Sequence, residues 1–350
     1  MEIIQSSPKS IQVPGFSSKR LHDPVKQMMI VDYQNLGTLE KIIKHPEWGC
    51  QVIYILTDST EVKSRFQHRS RIYPLKANIR SLFRHDIVDE IVCCLSFLPE
   101  GFMEELISVS KQFGVALLFS PGLGLTELTQ SKIRHIGTFS FHTLETSPRN
   151  YTAYLLKSIA EMAFATIAMI LLSPLLIFFA VLIKATSDGP VIFRQQRVGL
   201  RGRKFYIFKF RTMIVDAEKL KSSLMSLNES DGPAFKIRKD PRITPVGRFL
   251  RKTGIDEIPQ LYNVMKGEMS LIGPRPMLPN EVSAQEEWQL KRLSIKPGIT
   301  CSWQIIPDRN NVSFDRWMRL DRDYVENWSV RKDVLLFFKT IKTLFAARGV

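Results

Sequence analysis

Residues 251–276 of the chain read RKTGIDEIPQLYNVMKGEMSLIGPRP. An adjacent acid pair, Asp256 and Glu257, is followed by Pro259 and then by a rigid turn over 273–276. Neighbouring carboxylates repel each other, so one holds a proton more tightly or a metal ion neutralises both. The alternative is an acidic helix start whose carboxylates form salt bridges with nearby arginines.

Cations surround the acid pair in the sequence. They are Arg248, Arg251, Lys252, Lys266 and Arg275. Arginine and lysine hold phosphate oxygens, and a carboxylate can attack phosphorus when a divalent ion offsets the repulsion between the two anions. The pattern therefore favours a polyphosphate substrate.

The positive charge of the chain lies almost entirely in its second half. Of a net charge of +15 over 350 residues, residues 1–150 carry +2 and residues 151–350 carry +13. Basic charge beside a long apolar segment favours an anionic bilayer surface or a phosphate-bearing substrate. Nucleic acid is the competing interpretation. No helix-turn-helix, RRM or zinc-finger pattern supports it, so no nucleic acid partner is expected.

Histidine and cysteine usage restricts the chemistry of the second half. All six histidines lie at or before His142, and none of the four cysteines has metal-site spacing. A Ser-His mechanism or a histidine-ligated zinc is therefore excluded after that position. Catalysis there must rest on carboxylates, lysine, arginine or a hard metal ion. The cysteines are expected to be free thiols in a reducing compartment.

The first half predicts an α/β domain. After a lead-in over 1–24, strand-like and helix-like runs alternate over 25–122, which favours an open parallel sheet. The first strand is followed by one glycine instead of the Gly-x-Gly-x-x-Gly turn of a nucleotide site. We therefore expect a structural or regulatory domain. Residues 123–150 are predicted to be a polar linker, although 136–141 has the pattern of a further strand.

Residues 162–183 form an uncharged segment between Glu161 and Lys184. A straight helix of this length covers about 33 Å, enough to cross a hydrocarbon core of ~30 Å. However, Ser173 and Pro174 fall at its middle, where proline favours a kink. Positive charges also flank both ends, which favours a cytoplasmic location for both. They are Arg149, Lys157, Lys184, Arg194, Arg197, Arg201, Arg203 and Lys204. A re-entrant helix hairpin is therefore favoured over a spanning helix.

Four more segments are predicted to be helical: 214–227, 280–293, 314–328 and 334–347. The last two carry amphipathic aromatic or apolar faces typical of a membrane interface, with burial against the protein as the alternative for the final helix. The basic run 201–204 is interpreted as a face on lipid headgroups.

Six ordered blocks resemble the bacterial sugar transferase family, the monotopic phosphoglycosyl transferases. The blocks are FRQQRVG (193–199), KFRTM (209–213), TPVG (244–247), DEIPQL (256–261), SLIGPRP (270–276) and KPGIT (296–300). The resemblance covers about Tyr154 to the C-terminus and implies a compact α/β catalytic domain over 151–350, with a re-entrant helix and interfacial amphipathic helices. Residues 45–49 more weakly resemble a degenerate CoA-binding-like Rossmann domain. Cys301 stands where most relatives have glycine.

The resemblance also implies a reaction. A UDP-sugar donates its sugar-1-phosphate to undecaprenyl phosphate, giving polyprenyl-diphospho-sugar and UMP through a covalent aspartate intermediate. The implied nucleophile and Mg²⁺ ligand is Asp256, assisted by Glu257. The expected phosphate contacts are Lys209, Arg211, Arg251, Arg275 and Arg309, and the loop is shaped by Pro259, Gly273, Pro274 and Pro276. An exposed loop arginine is the alternative for Arg309.

The implied location is the cytoplasmic face of the bacterial inner membrane, at the first membrane step of exopolysaccharide, capsule or O-antigen synthesis. A homodimer is a candidate assembly, and downstream glycosyltransferases are candidate partners. Three alternatives stay open: a ternary-complex transferase in which Asp256 only binds metal, a non-catalytic membrane scaffold of an assembly complex, and an acidic-lipid-binding protein.

Overall fold

The computed structural model describes residues 24–121, 132–144, 151–306 (except 230, 234, 236, 238 and 239) and 312–345. The predicted lead-in before residue 24 and the predicted site residue Arg309 lie outside these ranges. The described chain forms an N-terminal sheet domain and a C-terminal α/β domain.

A seven-stranded sheet organises the N-terminal domain. Its strands are β1 (Val25–Val31), β2 (Cys50–Leu56), β3 (Arg71–Tyr73), β4 (Glu90–Cys94), β5 (Ala116–Phe119), β6 (Lys132–Ile136) and β7 (Phe139–Leu144). They lie in the order β3-β2-β1-β4-β5-β7-β6, and the pairs from β3 to β5 are parallel. The predicted parallel α/β sheet is confirmed.

Four helices cover the two faces of this sheet: α1 (Leu36–Lys44), α2 (Thr60–Phe66), α3 (Ile79–His85) and α4 (Phe102–Phe113). Alternate residues of β1 point to opposite faces, as a strand requires. Met28 therefore packs in one hydrophobic cluster with α3 and α4, and Met29 packs in the other with α1 and α2. Burial on both faces explains why the strand sequence is a continuous apolar run.

The strands β6 and β7 form an antiparallel hairpin that continues the sheet beyond β5. This hairpin lies within the predicted linker and includes the further strand suggested over 136–141, whereas residues 132–135 and 142–144 form strand where linker was predicted. Ile136 and Phe141 are buried in the cluster that covers one face of the sheet. Pairing with β5 and this burial stabilise strands whose sequence is otherwise largely polar.

The C-terminal domain begins with one long helix and continues with short elements. The helices are α5 (Tyr151–Thr186), α6 (Pro245–Thr253), α7 (Leu261–Met265), α8 (Pro279–Ser283), α9 (Phe314–Glu326) and α10 (Val330–Phe345). The strands β8 (Ile192–Val198) and β9 (Lys204–Phe210) form an antiparallel hairpin. Two further strands, β10 (Ser270–Ile272) and β11 (Gly298–Thr300), pair in parallel.

The helix α5 is the one described helix that is long and apolar enough to cross a membrane. It runs through Pro174 without an interruption of secondary structure, and the Ser173 hydroxyl donates to the carbonyl of Ile170 at 2.7 Å. Ala165 and Phe179 pack on the C-terminal domain, while Leu171 and Phe178 are exposed. The re-entrant hairpin stays a prediction.

Two predicted helices are not formed as continuous α-helices in the described structure. Residues 214–227 form turns followed by a 3-10 segment, Lys219–Leu227, and 280–293 is divided between α8 and a 3-10 segment, Glu287–Ser294. Leu220 and Leu227 are exposed. A short amphipathic helix depends on burial of its apolar face, and 214–227 lacks that burial.

Several flanking cations do not face a membrane. Lys157 is buried, where its ammonium donates to the carbonyl of Ile272 at 2.9 Å and pairs with Asp333 at 2.7 Å. Arg201 and Arg203 both pair with Asp89 of the N-terminal domain. The interpretation as a headgroup face is therefore wrong for these two arginines.

Candidate active site

The acid pair lies in a tight turn between α6 and α7. The Thr244 hydroxyl caps α6 by accepting a hydrogen bond from the Gly247 amide at 3.0 Å. The helix ends at Gly254, whose φ of 72° favours glycine. The following 3-10 turn, Ile255–Gln260, contains both acids. Proline suits such a short turn because its φ is fixed.

Asp256 is buried, with 8% of its surface exposed. Burial raises the pKa of its carboxyl to about 6, and the neighbouring Glu257 carboxylate acts in the same direction. Lys209 and Arg251 oppose this rise because their positive charges favour the ionised form. A buried carboxylate with a raised pKa between cations is an arrangement found at catalytic nucleophiles and bases.

Lys209 reaches the acid pair from β9. Its ammonium pairs with the Glu257 carboxylate at 2.5 Å, while the next residue, Phe210, is buried against α5 and α6. The alternation of strand side chains produces this arrangement. The structure therefore brings the predicted phosphate ligand Lys209 to the predicted acids, and its phosphate contact stays a prediction.

Two further predicted arginines lie near Thr212: Arg211 precedes it in the chain, and Arg251 bonds its hydroxyl. Arg251 donates from Nε to the Thr212 hydroxyl at 2.9 Å, close enough to Asp256 to lower the pKa of its carboxyl. Arg211 donates from Nη2 to the carbonyl and hydroxyl of Ser187, at 2.7 Å each. Within the described part of the chain, its Nε and Nη1 are buried without a hydrogen-bond partner, which leaves donors for an anion.

The predicted loop over 273–276 is fixed by a close backbone approach. A Cβ on Gly273 would lie 2.5 Å from the carbonyl oxygen of Lys296, so glycine is required. The Gly273 amide donates to the Thr300 carbonyl at 3.0 Å, and the Gly298 amide donates to the Pro274 carbonyl at 2.9 Å. The loop thereby carries Arg275, whose charge helps lower the pKa of Arg251 after the larger effect of burial.

Sequence reasoning missed several polar residues that shape the site. Asn263 is fully buried, where it donates to the Tyr206 carbonyl at 2.7 Å and accepts from the Phe208 amide at 3.2 Å. It thereby fixes β9 against α7. Asn263 lies in the quoted stretch, and a polar residue at an apolar position was the available signal. Cys301, which the sequence analysis did single out, is buried, and its thiol donates to Gln304 at 3.1 Å.

The carboxylates fit a magnesium ion that arrives with a substrate. No group of three or more His, Cys, Asp or Glu side chains within the described ranges is placed to hold a metal by itself. Mg²⁺ usually takes one or two protein carboxylates and completes its shell with water and phosphate oxygens. Asp256 and Glu257 match this donor set better than they match a site made of protein ligands alone.

Comparison with known proteins identifies the family of this chain. A family model described as bacterial sugar transferase matches residues 152–347. A galactosyl transferase, CpsE, of Streptococcus agalactiae serotype III (strain NEM316) is 34% identical over 290 residues, covering 79% of this chain and 64% of the relative. An undecaprenyl-phosphate galactose phosphotransferase of Salmonella typhimurium (strain LT2) is 40% identical over 200 residues, or 55% and 41% of the two chains.

A third relative is an undecaprenyl-phosphate glucose phosphotransferase of Komagataeibacter xylinus. It is 33% identical over 280 residues, which cover 76% of this chain and 50% of the relative. The chain thus spans between 41% and 64% of the length of these three relatives. Because the family model matches more than half of the chain and includes the acid pair Asp256 and Glu257, the protein belongs to the bacterial sugar transferase family.

Proposed function

We propose that this protein transfers a sugar-1-phosphate from a UDP-sugar to undecaprenyl phosphate, giving undecaprenyl-diphospho-sugar and UMP. The buried Asp256, with its raised pKa and its cationic neighbours, is the observation that carries the proposal. Family membership and the names of two relatives, which are undecaprenyl-phosphate sugar phosphotransferases, support the substrate class.

The first step forms a covalent phosphosugar on the enzyme. A carboxylate oxygen of Asp256 attacks the β-phosphorus, and the bond from that phosphorus to the oxygen bridging the two phosphates breaks. UMP leaves with the electron pair. With a pKa near 6, Asp256 is mostly ionised at neutral pH and is more basic than an ordinary aspartate. Both properties suit a carboxylate nucleophile.

The second step returns the enzyme to its starting state. A phosphate oxygen of the lipid attacks the same phosphorus, the bond between phosphorus and Asp256 breaks, and the free carboxylate is restored. Lys209, Arg251 and Arg275 hold the phosphate oxygens through charge-assisted hydrogen bonds. Glu257 orients Lys209 through their 2.5 Å ion pair. Magnesium bound by Asp256 and Glu257 would supply positive charge that lowers the repulsion between carboxylate and diphosphate.

The membrane anchor is part of the proposal, because one substrate is dissolved and the other lies in the bilayer. We infer that α5 enters and leaves the cytoplasmic leaflet, and that α10 lies at the interface. The exposed Leu335 and Phe338 of α10 support the second inference, and contact between Phe164 and Phe337 joins the two helices.

Cysteine labelling distinguishes a re-entrant helix from a spanning one. The four native cysteines are buried, so single cysteines introduced at Thr152 and Asp188 would dominate labelling in intact membranes. The proposal predicts that a membrane-impermeant maleimide labels both positions from the cytoplasmic side only. Labelling of the two positions from opposite sides would contradict it.

The transferase proposal is tested by UMP release from nanodisc-held protein supplied with undecaprenyl phosphate, Mg²⁺ and a panel of UDP-sugars. Release with one donor, abolished by chelator and by Asp256→Asn, is expected. The exposed Asp216 provides a matched control, since Asp216→Asn should leave turnover unchanged. Absence of release with every donor would contradict the proposal and favour a membrane scaffold.

A further inference from the structure

Asp89, directly before β4, joins the two domains through two ion pairs. Its buried carboxylate lies 3.3 Å from Nη1 of Arg201 and 2.6 Å from Nη2 of Arg203. Both arginines belong to the turn between β8 and β9. Arg201 has a φ of 54°, a left-handed conformation that non-glycine residues keep only where their surroundings hold it. The ion pairs with Asp89 therefore stabilise a strained turn.

The 3-10 segment Glu287–Ser294 provides a second contact with the N-terminal domain. Leu290 is buried in the same hydrophobic cluster as Leu106 of α4. The Lys291 ammonium donates to the carbonyl of Lys111, in the last turn of α4. A cation is favourable there because the carbonyl end of a helix carries partial negative charge. This segment is thus fixed to the N-terminal domain by burial and by charge.

The segments that make these two contacts also form hydrogen bonds with the backbone at the Arg275 loop. Arg292, also in the 3-10 segment, is buried and donates from Nη2 to the Arg275 carbonyl. At the end of β8, the Val198 amide donates to the Met277 carbonyl at 2.9 Å. Two neighbours therefore hold the loop, and each neighbour is itself held by the N-terminal domain.

We propose that the N-terminal sheet domain positions the Arg275 loop, and that Asp89 is a positioning residue through which it acts. The catalytic part of this inference rests on the proposed function. Loss of the Asp89 ion pairs releases the strained turn and with it the hydrogen bond from Val198 to the loop. Arg275 then spends less time where it can hold a phosphate oxygen. The domain thus acts on transfer without contacting either substrate.

Hydrogen exchange tests whether the N-terminal domain positions the Arg275 loop, and this measurement does not require enzyme activity. In nanodisc-held full-length protein, Asp89→Asn should speed amide exchange in residues 196–203 and 273–278 by at least about fivefold, the low end of usual coupling between sites. Amides of β2 should keep their wild-type rates, as should those of β1 except Lys26, whose amide donates to the Asp89 carboxylate at 3.1 Å. Asp86→Asn is the matched control, because Asp86 pairs with Arg71 inside the N-terminal domain.

A second variant is needed if Asp89→Asn destabilises the whole N-terminal sheet. If Asp89→Asn also speeds exchange in β1 and β2, Lys291→Met decides the question, since it removes only the donor to α4. Faster exchange over 273–278 in that variant supports the proposal. The proposal is overturned if a variant whose β1 and β2 amides keep wild-type exchange rates also shows wild-type rates over 273–278.

A double-mutant cycle tests the catalytic half. Asp89→Asn should lower kcat/KM for the donor at least about fivefold, and by less than about twofold when Arg275 is already glutamine, because neighbours acting through one group are non-additive. An equal loss in both backgrounds would show that Asp89 does not act through Arg275. An inactive wild type would refute the proposed function alone, since the exchange result stands independently.

Discussion

Replacement of Asp256 by asparagine should stabilise the protein at the same time as it abolishes transfer. Burial, and then the Glu257 carboxylate, raise the pKa of Asp256 from an ordinary 3.8 to about 6. Between these values the folded protein binds a proton that the unfolded chain has lost, so the free energy of unfolding falls as pH rises from 3.8 to about 6. Above about pH 6 the free energy of unfolding stays lower by the full cost of ionising the buried carboxyl. Asparagine does not ionise, so the free energy of unfolding of the variant does not decrease over this pH range through residue 256.

The size of the effect follows from the pKa shift. One pKa unit corresponds to ~1.4 kcal/mol, so the rise to about 6 corresponds to roughly 3 kcal/mol at most. In a domain of about 150–250 residues, 1 kcal/mol changes Tm by about 2–4 °C. Asp256→Asn should therefore melt up to roughly 10 °C above the wild type at pH 8. The difference in free energy should fall to about half at pH 5.

Thermal melts of nanodisc-held protein at pH 8 and pH 5 measure this difference. Asp240→Asn is a matched control, because this buried aspartate bonds with Arg242 at 2.6 Å and the bond lowers the pKa of its carboxyl. A carboxylate with a lowered pKa stabilises the fold above its unfolded pKa, so the control variant should melt lower at pH 8. If Asp256→Asn melts no higher than the wild type while Asp240→Asn melts lower at pH 8, the buried Asp256 carboxylate does not destabilise the fold.

Two further predictions concern the pH dependence of the reaction and the packing of α6. The kcat/KM for the donor should rise with pH through an apparent pKa near 6 as Asp256 ionises. Glu257→Gln should lower that midpoint, because it removes a negative charge that helps raise the pKa of Asp256. A kcat/KM that does not change between pH 5 and pH 8 would contradict this prediction. Gly247→Ala should destabilise the protein by about 1–3 kcal/mol in denaturant titrations, because the new Cβ would lie 2.1 Å from the Thr212 carbonyl oxygen. Gly37→Ala, where nothing lies within 4 Å, should show no such loss.

The sequence was most informative where function depends on neighbouring residues. Asp256 and Glu257 are adjacent, and their mutual repulsion is evident without a structure. The ion pair from Lys209 to Glu257 joins residues 48 positions apart. The family resemblance implied that Lys209 contacts phosphate, and no local pattern indicated its ion pair with Glu257. The packing of β9 against α7 depends on Asn263, and the only local signal for that role is a polar residue at an apolar position.

Longer-range contacts explain the predictions that were wrong. The basic residues Arg201 and Arg203 suggested a headgroup face, because charge alone does not show that Asp89 of another domain faces them. The β6–β7 hairpin was largely missed, because its stability comes from pairing with β5 rather than from a strongly apolar sequence. In each case the deciding partner lies far away along the chain.

Intact-mass analysis after a single turnover detects the proposed covalent intermediate on Asp256. The protein is incubated with Mg²⁺ and the active UDP-sugar, without undecaprenyl phosphate. Wild-type protein should gain the mass of one sugar phosphate, release an equal amount of UMP and lose the adduct when the lipid phosphate is added. Asp256→Asn should gain no mass. UMP release only when both substrates are present, with no mass change at any time, would instead show direct transfer in a ternary complex.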